Sequence, residues 1–376
     1  MSGSAKTVAI IGAGLAGAAC ANAFANAGYS VTVYEQAATP AAGASGVPLA
    51  MFAPSVSADD APYSRLLRQG VNVLLDELHR LTAEGLLLEG SDWAMSGVLE
   101  RCLRGDKKLP STWLEPQDPP ALQSRLAATS RPMRLVGDAP VALVTEIFHA
   151  AAGWVNPQKL IAAWLSHPGI AVQTNASMTS LQDLRLALHS VIAVACGYQT
   201  PQLVPHLKTQ LQAIRGQVAW GVAHPHANGL GSPINGMGHW IEGSGRWLAG
   251  ATFQRDETDL APRLKDADLN FEKLSLLRPE LDALQLRQLR EASQPWVGVR
   301  TAQKNRQPLI EQLAVCDSDL LASTLDSGSG SASASDAVSS VWVCTALGSR
   351  GLSLAALCAQ QLVTQVTSSQ PQDDAL

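Results

Sequence analysis

The chain has 376 residues, enough for two domains with a sizeable core, and its 46% hydrophobic against 16% charged residues exclude an intrinsically disordered polypeptide. With 27 basic and 32 acidic residues the formal net charge is -5, so global electrostatics do not favour nucleic acid and such a role needs a local basic patch. Six scattered cysteines with no CxxC or Cys/His grouping argue against a disulfide framework or a metal site and fit a reduced, cytoplasmic protein.

Thr7–Ile11 is a short apolar, largely β-branched run and reads as a buried strand. Lys6 before an apolar stretch has the outline of a signal peptide, but glycines at fixed spacing interrupt it and a strand pattern follows at once. Those glycines belong to Gly12-Ala13-Gly14-Leu15-Ala16-Gly17. An alanine-rich helical pattern runs on to about Ala27, with Gly28 as its C-terminal cap, and Ser30–Tyr34 forms a second strand ending at Glu35 and Gln36. Gly12 permits the tight turn, Gly14 lets a diphosphate approach the backbone, and Gly17 lets the helix pack on the sheet. The helix N-terminus offers free N–H groups to that anion. Glu35 can accept hydrogen bonds from a ribose diol and would repel a 2′-phosphate, so FAD or NAD fits better than NADP. Strand, glycines, helix, second strand and terminal acid arrive in order, which favours a dinucleotide-binding βαβ unit over an ordinary glycine-rich turn.

Ala41-Ala42-Gly43-Ala44-Ser45-Gly46 follows, either a flexible loop or a backbone segment able to pass close to a bulky ligand. Gly153-Trp154-Val155-Asn156-Pro157 precedes a helical pattern to about Trp164, and residues 191–194 form a buried strand entering Ala195-Cys196-Gly197-Tyr198. Strand character returns over 217–222 and 239–253, around Trp220, Trp240 and Trp247, and 260–289 reads as helix broken near Pro279. Residues 323–340 are a flexible Ser/Gly-rich insertion. After it come a strand over 341–344, the turn Ala346-Leu347-Gly348-Ser349-Arg350-Gly351-Leu352, a helix over about 353–366, and a tail disordered after Thr367. No run is apolar and long enough for a convincing membrane span.

Across nearly the whole chain these motifs resemble the FAD-dependent D-amino-acid-oxidase superfamily. The resemblance implies FAD as cofactor and an α/β fold: a Rossmann-like FAD-binding domain with a doubly wound, mostly parallel sheet, interleaved with an α+β substrate domain on an antiparallel sheet. The FAD-binding domain is expected over 1–90, 150–215 and 325–376, and the substrate domain over 91–149 and 216–324. The family places Ala44, Ser45 and Gly46 across the diphosphate and flavin, Val155 ahead of a helix whose following strand reaches the adenine, and Ala195 and Gly197 near the FAD. The turn of Gly348, Ser349, Arg350, Gly351 and Leu352 would aim backbone N–H groups at the flavin's pyrimidine edge. Arg350 could equally form an outward salt bridge. Arg300 is the candidate for gripping a substrate carboxylate, a two-point contact that a planar guanidinium suits; its alternative is a structural arginine.

Ala44-Ser45-Gly46, Arg65-Leu66-Leu67, Trp93 with Gly97-Val98-Leu99, Arg215-Gly216-Gln217-Val218 and Gly348–Leu352 look most like the oxidase domain of the bifunctional tRNA wobble-uridine modification enzymes. That resemblance implies oxidation of a carboxymethylaminomethyl group on C5 of uridine to an imine, which hydrolyses to leave aminomethyl. A methyltransferase domain normally precedes this oxidase, so the chain resembles the oxidase half alone. Three departures stand out: Val47 where an Asn is usual, Asn305 at the acidic position of an Asp-x-x-Pro, and Glu311 where a glycine is usual. They leave open two other readings, an oxidase or dehydrogenase of a free amino acid or secondary amine, and a flavin-binding homologue without turnover. Basic residues within 101–108, 125–134 and 300–306 are either phosphate contacts or solvated faces. His224, His226 and His239 read as loop histidines rather than ligands, and Tyr198 either lines the site or packs at a sheet edge.

Overall fold

The computed structural model describes residues 6–57, 59–102, 124–126, 131–133, 142–222, 231–314 and 340–369. It divides into two compact units: residues 1–46, 161–213 and 300–376, and residues 47–160 and 214–299. The breaks therefore fall at 46/47, 160/161, 213/214 and 299/300, whereas the sequence suggested breaks at 90, 150, 215 and 324.

The first unit is built on a six-stranded sheet. Its elements are β1 (Thr7–Ile11), α1 (Leu15–Asn26), β2 (Ser30–Tyr34), β3 (Ile170–Gln173), β4 (Val191–Val194), β5 (Leu309–Gln312), β6 (Ser340–Thr345) and α2 (Gly351–Ser369). The order is β3-β2-β1-β4-β6-β5, parallel except for β5, which runs antiparallel to β6. Strand order reverses between β1 and β4, the switch point at which open α/β sheets bind ligands beyond their carboxyl ends. After Thr7, β1 is apolar and buried to its end because both its faces are covered. Ala9 and Ile11 join Ile192, Val194, Val341 and Val343 under Leu181, Leu186 and Leu207, while Ile10 faces α1 at Gly17. α1 packs along α2, with Cys20, Phe24, Leu354, Cys358 and Leu362 buried. The cysteines at 20, 196, 344 and 358 are free thiols, and a hydrogen bond with Cys20, reinforced by burial, raises the Cys344 thiol pKa. α2 runs to Ser369, three residues beyond the expected helix end.

The second unit carries a ten-stranded sheet and a three-stranded one. In the larger sheet Leu211–Val222, Arg246–Gly250 and His239–Gly243 lie antiparallel in turn, and Val98–Cys102 pairs antiparallel with Ala142–His149. Expected strand character over 239–253 resolves into two strands joined at Ser244-Gly245, whose φ values of 52° and 67° suit a two-residue hairpin. Thus His239 opens a strand instead of lying in a loop, while His224 and His226 fall outside the described residues. Trp240 and Trp247 stack at 5.5 Å in a core with Phe271, Leu274 and Leu289. The expected helix over 260–289 is two helices, Leu264–Leu277 and Ala283–Glu291, parted around Pro279; Asp282 and Gln285 form a capping box on the second. The insertion at 323–340 lies outside the described residues except for Ser340, which opens β6.

Candidate functional site

Several segments of the first unit meet at the carboxyl ends of β1, β2, β4 and β6. The opening glycine turn is fixed by close approach. A Cβ on Gly12, whose φ is +104°, would lie 2.7 Å from the Ala195 carbonyl oxygen, and one on Gly17 would lie 1.8 Å from the Gly12 oxygen. Gly14 takes the N-cap position of α1 without a side-chain cap, and the first turn holds no acidic residue. The positive end of the helix dipole is therefore not neutralised from within the helix, as a bound diphosphate requires. Ser45, from the small-residue segment, accepts the Leu15 N–H at 2.9 Å. That segment is tied to the turn a second time by Ala41 N–H to the Ala13 carbonyl, 3.0 Å.

Glu35 is buried at the end of β2, where its carboxylate accepts from the Ala13 N–H at 2.8 Å and the Ala37 N–H at 2.9 Å. Gln36 is exposed, and its amide donates to Gln199 at 2.7 Å, linking the end of β2 to the turn after β4. In that turn the Cys196 thiol donates to the Ile11 carbonyl at 3.3 Å. Burial, and secondarily the Glu35 charge, push the thiol pKa up to about 12, so Cys196 is a packing thiol and no nucleophile at neutral pH.

The strand Gln294–Gln303 brings Arg300, Thr301 and Ala302 to the same place. A Cβ on Gly197 would meet the Thr301 hydroxyl at 3.8 Å, and one on Gly348 would meet Ala302 at 3.7 Å. Ala302 forms a bridge with Leu347. Thr301 Oγ1 is buried and has no hydrogen-bond partner among the described residues, which suits a position beside a polar ligand. Arg300 is partly exposed, and burial of its head lowers the guanidinium pKa from its ordinary value. Beyond Gly348, Ser349 is exposed, Arg350 partly exposed and Leu352 buried. A Cβ on Gly351 would touch Leu15 at 3.8 Å, so the closing glycine turn adjoins the opening one.

Sequence-derived candidates Gly12, Gly14, Leu15, Gly17, Glu35, Ser45, Ala195, Gly197, Arg300, Gly348 and Gly351 are thus brought together. Val155 is fully buried in the second unit, in the central strand of the three-stranded sheet, opposite Ala50 and Trp93. Sequence reasoning missed Thr301, Ala302 and the backbone of Ala13, because nothing in the residue types marks a role that comes from neighbours distant in sequence. Of the departures, Asn305 does the local work of the expected acid, its side-chain oxygen accepting the Gln307 N–H at 2.9 Å. Glu311 lies on β5 opposite Val343, and Val47 packs with Leu49 and Trp154 in the second unit. Within the basic stretch at 101–108, Arg101 is a buried partner of Glu146 at 2.8 Å rather than a solvated charge. Among the described residues no group of three or more His, Cys, Asp or Glu could hold a metal ion, and no helix is long and apolar enough to cross a membrane.

A βαβ glycine turn at the switch point, a buried acid at the end of β2 and a second glycine turn against the first define a dinucleotide-binding flavoprotein fold. The chain belongs to the DAO family of FAD dependent oxidoreductases, whose model matches residues 7–365, and its cofactor is FAD. It is 35% identical over 390 residues to the tRNA 5-methylaminomethyl-2-thiouridine biosynthesis bifunctional protein MnmC of Polaromonas naphthalenivorans, covering 95% of this chain and 56% of the relative. The MnmC of Delftia acidovorans is 33% identical over 399 residues, covering 95% and 57%. The chain therefore spans little more than half the length of these curated relatives. Among solved structures, glycine oxidase from Bacillus cereus superposes with a TM-score of 0.69 at 14% identity, covering 97% of this chain and 96% of that one. Iminodiacetate oxidase from Chelativorans sp. BNC1 superposes with a TM-score of 0.66 at 17% identity, covering 97% and 96%.

Proposed function

We propose that the chain oxidises a CH–NH bond of a carboxylate-bearing amine, and that the amine is the carboxymethylaminomethyl group on the wobble uridine of a tRNA in the cytoplasm. The observation that carries the substrate assignment is the 35% identity to MnmC extending over 95% of the chain. FAD, when bound, supplies the acceptor for the hydride leaving the carbon beside the amine nitrogen, and the imine so formed hydrolyses. The chain's own residues supply placement. The α1 N-terminus with Gly14, Leu15 and Ala16 would hold the diphosphate, Glu35 with Gln36 the ribose end, and Ala44, Ser45 and Gly46 the crossing between diphosphate and flavin. Ala195, Gly197 and the turn of Gly348 to Leu352 would flank the flavin, whose pyrimidine edge gains negative charge on reduction; N–H groups at a helix N-terminus favour that charge. Arg300, one residue before Thr301 in the strand beside both turns, would take the substrate carboxylate through its planar guanidinium.

A second reading, oxidation of a free amino acid or secondary amine, draws support from the fold shared with glycine and iminodiacetate oxidases. The test is anaerobic bleaching of the flavin absorbance. Bleaching by tRNA carrying the carboxymethylaminomethyl group, and not by glycine or sarcosine, is the expected result. Bleaching by the small amines alone would establish the second reading, and bleaching by neither, with FAD firmly held, would mark a homologue without turnover.

A further inference from the structure

Arginines on this protein's surface are generally occupied. Arg65, Arg80, Arg185, Arg263, Arg287 and Arg290 each hold a carboxylate, and Arg246 and Arg255 lie over aromatic rings. The turn between the strand Gln294–Gln303 and β5 departs from this habit. Lys304, Asn305 and Arg306 are consecutive exposed residues, and among the described residues neither cation has an ion-pair partner. The turn is braced from beneath: Asn305 accepts from Gln307, the Gln303 amide donates to the carbonyls of Gln307 and Pro308, and the Arg306 N–H donates to Gln303. Arg306 itself sits at φ +66°, a left-handed conformation that glycine adopts without cost and a long side chain does not. A strained position thus carries a solvated charge where glycine would make the same turn more easily.

Topology fixes where those charges stand. Leu309 lies opposite Thr345, and Ala302 bridges Leu347, so the turn projects past the carboxyl end of β6 beside the Gly348 turn. Arg350 belongs to that neighbouring turn, and Arg300 lies three residues before the end of the strand leading into the Lys304–Arg306 turn. Of the acids near this edge, Glu35 is engaged by two backbone N–H groups, and Glu311 lies further along β5. Among these described residues four cations, Arg300, Lys304, Arg306 and Arg350, stand against two acids, in a chain whose net charge is -5.

We propose that Lys304 and Arg306 form a phosphate-binding turn that contacts the backbone of an RNA substrate beside the flavin site. This rests on the tRNA reading above and deepens it: recognition is divided between Arg300, for the reacting group, and this turn, for the polyanion. The experiment measures binding of an unmodified tRNA transcript to the FAD-loaded protein by fluorescence anisotropy over a range of KCl concentrations. The double variant Lys304→Ala/Arg306→Gly should bind roughly tenfold more weakly. Its dependence of log affinity on log salt should be shallower by about 0.7–0.9 for each phosphate that the variant leaves unneutralised. FAD content should be unchanged, as should kcat/KM for the free carboxymethylaminomethyluridine nucleoside, a small amine that carries the reacting group without a phosphate backbone. Arg306→Lys should keep most of the affinity, and Arg306→Gly alone should raise Tm slightly, which a purely structural arginine would not allow. Wild-type affinity and salt slope in the double variant would overturn the proposal while leaving the tRNA reading intact. Failure of the wild type to bind tRNA would remove both. An equal fall in activity on the small amine would show that the turn shapes the catalytic site and would also overturn the proposal.

Discussion

Replacing Gly17 with alanine tests the architecture on which cofactor binding depends. The added methyl would stand 1.8 Å from the Gly12 carbonyl oxygen and 2.9 Å from its carbon, both backbone atoms that cannot swing aside. A tolerable carbon–oxygen contact is about 3.3 Å, so the start of α1 must retreat by roughly 1.5 Å or the glycine turn must deform. Overpacking of this severity costs about 3 kcal/mol, and alanine's better helix propensity returns about 1 kcal/mol. The net loss of about 2 kcal/mol corresponds to a fall in Tm of about 2–3 °C for a chain of this size. Displaced helix N–H groups also lose their reach to the diphosphate, which weakens FAD binding by roughly 10- to 100-fold. Thermal unfolding and titration of apoprotein with FAD, followed by flavin fluorescence, measure the two effects. Gly43→Ala is the matched control for stability: a Cβ there meets no protein atom within 4 Å, and Tm should stay at wild type. A Gly17→Ala protein with wild-type Tm and FAD affinity would refute the placement of the turn.

Arg300→Lys should lower kcat/KM for a carboxylate-bearing amine by roughly tenfold, and Arg300→Ala by roughly a hundredfold, because an ammonium keeps the charge but loses the two-point geometry; unchanged steady-state kinetics would remove Arg300 from the site. Arg215 is fully buried, and its guanidinium donates to Asp266 (2.5 Å), Gln254 (2.7 Å) and the carbonyls of Asp259 (2.6 Å) and Ala261 (2.7 Å). Arg215→Met strands the Asp266 carboxylate and should cost about 3–5 kcal/mol in denaturant unfolding, most of it recovered in Arg215→Met/Asp266→Leu. Burial lowers the His189 pKa and favours the neutral ring, with Nε2 3.2 Å from the Tyr34 hydroxyl and Nδ1 without a hydrogen-bond partner among the described residues. Because the folded pKa lies below the unfolded value of about 6.5, His189 contributes stability that is present above that pH and is lost as pH falls through the folded pKa. Urea midpoints measured from pH 7 to pH 5 should decline, and the decline should shrink in His189→Phe; equal pH slopes in both proteins would contradict this.

Local chemistry made some of the site readable in advance. Gly12, Gly14 and Gly17 are legible because strand, turn and helix follow one another within twenty residues, and Glu35 because the second strand ends on it. The turn at Gly348 is legible for the same reason, with β6 before it and α2 after it. Thr301 and Ala302 were not legible: they matter only because their strand crosses beside Gly197 and Gly348, which lie roughly a hundred and roughly fifty residues away in sequence. The segment around Val155 was recognisable as a motif, but its pairing with Ala50 and Trp93 in a small sheet of the second unit was not, because those partners lie far off in sequence.

Domain limits show the same division. Periodicity identifies individual strands and helices, yet it cannot tell which sheet a strand will join, because a buried parallel strand and a buried antiparallel one satisfy the same apolar pattern. The residues of β1, α1 and β2 determine their own conformations through propensity, turn geometry and burial, and with them the capacity to bind a dinucleotide. Only the tertiary structure decides that the chain returns to that sheet at 161 and again at 300, setting Arg300 and the turn of Lys304 and Arg306 at its ligand edge. Such pairings depend on surfaces completed by other segments, and no window of local sequence contains both partners.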